Sequence, residues 1–231
     1  MEISGHFREL RARILLCLAF FIAFSGLAFY LSPELWKFAM MPLRTAGLVT
    51  LANLAPAEGI SASLFLAMIF GALVSSPLFL YHAYAFCAPA FPDFQKKVLV
   101  GFVCASSALF YAGAAFAFFF AIPTLFGFLA SYADFAVKLW SLESYTVFLF
   151  RFEILFALVF QLPVAFAFLA RTGIAGKDFP LRHVRLVIFL AALFSAIVTP
   201  PDLLSLFWMA IPILVLYGIG IIAYRIAWRH E

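Results

Sequence analysis

From residue 98 to residue 122 the chain carries no charged side chain. At 1.5 Å per residue a helix of that length exceeds the roughly 30 Å hydrocarbon layer of a bilayer. Five further apolar runs, residues 14–31, 61–86, 145–170, 184–198 and 203–224, account for most of the remaining chain. A backbone inside hydrocarbon must satisfy its own hydrogen bonds, and single runs of this kind do so as helices. The expected fold class is therefore an all-α integral membrane protein, with six transmembrane helices in one domain covering residues 1–231. Composition agrees: 67% of residues are hydrophobic and 11% charged, with a mean hydropathy of +1.11, far beyond the apolar share of a soluble domain.

The first run reads as a retained span. Its apolar part is longer than the core of a secretory signal, and no small-residue cleavage site follows it. The fifth run, at about 22 Å of helix, is short for a full crossing. Only "TPPD" (residues 199–202) separates it from the sixth, so the last two are expected to form a tight hairpin, the sixth interrupted by Pro212. Pro89, Pro92 and Pro123 are expected to punctuate the ends of the second and third runs.

Orientation follows from the cations. With a cytoplasmic N-terminus, that face receives Arg8, Arg11, Arg13, Lys96, Lys97, Arg171, Lys177, Arg182, Arg185, Arg225 and Arg229, eleven of the 15 Lys and Arg. Lys37, Arg44 and Lys138 then lie outside, and Arg151 lies within the fourth run. Both termini are expected in the cytoplasm. Two outward connections, residues 32–60 and 123–144, carry Trp36 and Trp140 at positions suited to interfacial anchoring. The net charge of +4 concerns this orientation rather than nucleic acid, for which no basic tail exists. Cys17, Cys87 and Cys104 lack metal-ligand spacing and read as small apolar side chains; no cofactor or metal is expected.

Four stretches carry polar residues that need an explanation. In "HFRELRAR" (residues 6–13), Glu9 either pairs with Arg13 one turn on, for a few tenths of a kcal/mol, or presents acceptors to a cationic ligand at the headgroup level. "AFCAPAFPDFQKK" (residues 85–97) is a proline-fixed turn at its simplest. In "FQLPVAF" (residues 160–166) a kink, with Gln161 bonded to a freed carbonyl or a neighbouring helix, is a sufficient reading. In residues 199–218, Asp202 reads as a helix N-cap behind Pro200 and Pro201.

In this order the four stretches resemble the TatC family, the multi-spanning subunit of the twin-arginine protein translocase. The resemblance is carried by His6, Glu9, Leu10, Arg11 and Arg13; by Phe86, Pro89, Ala90, Lys96 and Lys97; by Phe160 and Pro163; and by Thr199, Pro200, Pro201, Asp202, Ile211, Pro212, Leu216 and Tyr217. Pro56 and Glu58 match a further "P-x-E" element. The resemblance covers nearly the whole chain. It departs at three acids of the family pattern, which fall here on Gln95, Gln161 and Gly218.

The resemblance implies a bacterial inner-membrane receptor that performs no covalent chemistry. Such a protein binds twin-arginine signal peptides of folded cargo and works in an oligomeric complex with single-span TatA/TatB-type partners, driven by the proton-motive force. It implies a signal-peptide site at Glu9 and Arg11 and on the first inner loop. There Gln95 replaces a carboxylate by an amide, whose NH2 group repels a guanidinium, at about 1–2 kcal/mol. Asp93, two residues away, is expected to supply the missing charge. In the fourth run Arg151 and Glu153 do not face one another on a helix. Glu153 is expected either to contact an incoming subunit in place of the acid lost at Gln161, or to bridge to another helix of this chain. A small secondary transporter or channel is the competing class. It would show internal repeats and ionisable groups near the midplane, and no repeat is present.

Overall fold

A computed structural model describes residues 3–47, 51–87, 96–131, 140–173, 175–198 and 203–228. Helix α1 (Ile3–Tyr30) opens the chain and is followed by two short helices, α2 (Ser32–Ala39) and α3 (Met41–Thr45). Pro33 and Pro42 each stand in the first turn of their helix, where the missing N–H costs nothing. A strand residue pair, β1 (Leu51–Ala52), precedes α4 (Glu58–Cys87). Next come α5 (Lys96–Phe116), a π-helical turn (Ala117–Ala121) and α6 (Ile122–Ser131). The strand β2 (Trp140–Ser141) leads into α7 (Leu142–Val159) and α8 (Leu162–Thr172). Helices α9 (Phe179–Arg182), α10 (Val184–Val198) and α11 (Leu203–Ala227) complete the described residues.

Five stretches among the described residues are long and apolar enough to cross a membrane: Phe7–Tyr30, Glu58–Phe86, Lys97–Ser131, Leu142–Thr172 and Met209–Ala227. Val184–Ala196 is apolar but shorter. The chain is a multi-pass membrane protein. Its outer surface shows the inversion this requires, with Ile22, Phe120, Phe189 and Ile222 all more than half exposed where a soluble fold would bury them.

Two prolines act differently from their sequence reading. Pro123 does not end the third span; the helix runs through it to Ser131. A proline ring clashes with the carbonyl four residues back, and the wider π turn immediately before Ile122 accommodates it. Pro212 likewise lies inside an unbroken α11.

Helix α7 is the spine, packed against α4 and α5, while α1 lies on α4 and both α8 and α10 lie on α11. Two glycines allow the closest crossings. A Cβ on Gly71 of α4 would stand 2.0 Å from Ser25 Oγ of α1. One on Gly113 of α5 would stand 2.6 Å from the Phe156 carbonyl of α7. Such approach of small residues is how helices associate where lipid removes the hydrophobic drive. The principal core, with Leu66, Ile69, Phe126, Leu149, Phe152 and Phe156, lies between α4, α6 and α7. It reaches Ala39 and Leu43 of the short helices, and Tyr145 hydroxyl donates to the Ala39 carbonyl there.

Trp36 and Trp140, expected at an interface, are half-buried. Trp36 Nε1 donates to Ser63 Oγ at 3.1 Å, and Trp140 packs edge-on against Phe126 at 4.9 Å. Cys17 is buried and Cys104 exposed.

Candidate functional site

The N-terminal stretch is helical from Ile3, so Glu9 and Arg13 are one turn apart on α1. Glu9 Oε1 accepts from Arg13 Nε at 3.0 Å and from Arg13 Nη2 at 2.7 Å. Its other oxygen has no partner among the described residues, and the Glu9 side chain is 43% exposed. Arg13 Nη1 lies 3.3 Å from His82 Nδ1 on α4. The intrahelical pair expected from spacing is present, and it coexists with a free acceptor. Arg8 and Arg11 are exposed and form no ion pair among the described residues. His82 is the one histidine of the second apolar run. Its partner lies 69 positions away, which local pattern cannot supply.

Asp93, Gln95 and Pro89 of the first inner loop, and Pro200, Pro201 and Asp202 before α11, lie outside the described residues.

In the fourth span, Arg151 is exposed and Glu153 is 4% exposed. Neither makes an ion pair among the described residues, so they diverge from one another as helical geometry requires. Neither Glu153 oxygen has a hydrogen-bond partner among the described residues. Gln161 sits at the break between α7 and α8 that Pro163 creates. There the Gln161 N–H turns to the Leu158 carbonyl at 3.0 Å, which frees the Ala157 carbonyl. Gln161 Nε2 donates to that carbonyl at 3.4 Å and across to the Ser106 carbonyl of α5 at 3.2 Å. Its Oε1 is buried with no partner among the described residues.

On the opposite side of the bundle, Glu58 is 3% exposed and fully used. It accepts from the Leu54 N–H, from the Ala55 N–H at 3.1 Å, from Ser141 Oγ and from the Glu143 N–H at 2.9 Å. The carboxylate thus clamps the approach to α4 onto the start of α7, beside the parallel pairing of Leu51 with Trp140 and Ala52 with Ser141. Pro56 is exposed in the turn before it. Pro212 lines an aromatic cavity of about 270 Å³ with Phe116, Phe152, Phe156 and Met209. Two tyrosines of α11 hold the segment after α8: Tyr217 donates to the Pro180 carbonyl, and Tyr224 to the Ala175 and Gly176 carbonyls at 2.9 and 3.0 Å. Among the described residues no cluster of three or more His, Cys, Asp or Glu is placed to hold a metal ion.

A bundle of long apolar helices with a polar patch at one rim defines a multi-pass membrane protein. Residues 5–212 match the family described as Sec-independent protein translocase protein (TatC). The chain is 31% identical over 227 residues to the Sec-independent protein translocase protein TatC of Helicobacter pylori, covering 96% of this chain and 86% of that one. It is 28% identical over 235 residues to that of Aquifex aeolicus, covering 100% and 98%. A crystal structure described as the twin arginine translocase receptor TatC superposes with a TM-score of 0.87 at 28% identity, covering 97% of this chain and 100% of that one. The chain belongs to the TatC family, whose members are translocase membrane subunits and not enzymes.

Proposed function

We propose that this chain is the receptor and core subunit of a twin-arginine protein translocase in a bacterial inner membrane. It crosses the bilayer six times with both termini in the cytoplasm, α10 and α11 forming a hairpin. It binds twin-arginine signal peptides of folded cargo at its cytoplasmic rim. It assembles with TatA/TatB-type single-span proteins and moves cargo at the expense of the proton-motive force.

One observation carries the peptide-binding part: an exposed carboxylate on α1, Glu9, engaged by Arg13 through one oxygen and free at the other. An arginine side chain presents a planar fork of donors that matches a carboxylate, whereas lysine presents a compact point charge. An acceptor at headgroup level, less hydrated than in bulk water, strengthens that difference. Asp93 and Gln95 join Glu9 in this reading on the strength of sequence alone, Asp93 as the second negative charge and Gln95 as a weaker acceptor.

The test is binding of a twin-Arg signal peptide, and of the same peptide with both arginines changed to lysine, to the protein in nanodiscs. Preference for the arginine peptide, lost in Glu9→Gln and weakened in Asp93→Asn, supports the proposal. Equal binding of both peptides, or binding unaffected by both substitutions, contradicts it.

A further inference from the structure

A groove of about 660 Å³ runs along the bundle between α5 and α11, with α8 as its floor. Its walls are apolar, from Val98 to Ala112 on α5 and from Leu216 to Ala223 on α11, over Ala167 of the floor. Among the described residues its one charged lining residue is Arg171, the penultimate residue of α8. Phe102 of α5 meets Phe168 of α8 at 5.5 Å. One turn further along α5, the Ser106 carbonyl accepts from Nε2 of Gln161, the residue before α8, at 3.2 Å, so α8 runs antiparallel to α5 and Arg171 stands at the groove end where α5 begins. That end also carries Lys97, which is exposed, and the amino terminus of α5, where the helix dipole favours an anion. Among the described residues Arg171 makes no ion pair; the two there are Glu9 with Arg13 and Glu34 with Lys37.

We propose that this groove is a binding site for one anionic phospholipid, its acyl chain along the groove and its phosphate on Arg171 and Lys97. Two observations favour a lipid over a transmembrane helix of another protein. From Val98 to Ala112 the groove follows α5 for about 21 Å, somewhat more than the half-bilayer that one leaflet's lipid occupies, and well short of the roughly 30 Å a spanning helix would need to cover. The charge is confined to a single end, as it is in a phospholipid. Basic pockets between spans at the headgroup level bind such lipids. The lipid reading rests on the groove and its cations and not on peptide binding, although Lys97 follows Asp93 and Gln95 of the proposed peptide site closely in sequence.

The probe is phosphatidylglycerol, compared with phosphatidylcholine of the same acyl chains, titrated onto the full-length protein in neutral detergent with bound lipid read by native mass spectrometry. Phosphatidylglycerol is expected to be retained several-fold better. Arg171→Gln with Lys97→Gln should cut its retention by at least about five-fold while leaving phosphatidylcholine unchanged. Arg185→Gln, a cation of α10, should change neither. Arg171→Lys keeps the charge and should keep most of the retention, which separates loss of the site from loss of the fold. Ala105→Trp fills the groove without altering charge and should also release phosphatidylglycerol. Equal retention of the two lipids overturns the proposal. So does retention indifferent to Arg171→Gln with Lys97→Gln, or loss of a co-purifying single-span protein in Ala105→Trp with lipid retention intact.

Discussion

At Glu9, magnitude separates two roles that share one side chain. An exposed pair one turn apart is worth about 0.3–0.5 kcal/mol, so Arg13 competes weakly with a visiting guanidinium. Arg13→Gln is predicted to tighten twin-Arg peptide binding by no more than about two-fold. Glu9→Gln removes a charge-assisted bond of about 1.5–3 kcal/mol and should weaken binding by roughly ten-fold or more; isothermal titration in nanodiscs reads both. A weakening in Arg13→Gln would mean that this arginine orients Glu9 instead of competing for it. Glu153 poses the opposite case, since burial without a partner is costly for a carboxyl group. Replacing such a group by an apolar one of similar volume is often neutral or stabilising. Glu153→Met is predicted to leave the melting temperature in detergent unchanged or raised. A fall of several degrees would contradict this account of the site.

At the scale of elements, the two tight helix crossings should respond differently to the same small change. The atom that a Cβ on Gly71 would meet first is the end of a rotatable serine side chain, whereas on Gly113 it is the backbone oxygen of Phe156. Gly113→Ala should therefore cost more than Gly71→Ala, with overpacking of this kind costing about 1–3 kcal/mol. The order of melting temperatures among the two variants and the parent protein tests it. Spans were legible in sequence because one signal, the uncharged apolar run, decides them: residues 184–198 coincide with α10, and residues 203–224 fall within α11. Their ends were less legible. The α1 helix begins at Ile3, eleven residues before its apolar run, because a helix entering water needs no apolar side chains. Helices α2 and α3 and the β1–β2 pairing gave no periodic signal, being too short to show one. Glu58 was singled out by its motif. Its clamp onto Ser141 and Glu143 stayed hidden because those partners lie 83 and 85 positions away. At Gln161 the bonds to a freed carbonyl and to a neighbouring helix were readable, since an amide two residues before a proline stands where a helix breaks.

For the molecule as a whole, lipid shapes the fold as much as packing does. Helix α1 is buried mainly where it meets α4, and most of its apolar residues face outward. Helix α10, about 22 Å long, is shorter than the surrounding hydrocarbon. Mismatch of that kind thins or tilts the adjoining lipid at a cost of fractions of a kcal/mol per Å. Proposed peptide capture at Glu9 depends on which side of the membrane the start of α1 occupies. The most direct test replaces Cys17, Cys87 and Cys104, places a single cysteine at Arg8, and labels it with a membrane-impermeant maleimide. Labelling in inside-out vesicles and protection in right-side-out vesicles is the predicted result. Labelling only from the outer face would put Glu9 beyond the reach of cytoplasmic cargo and contradict the account.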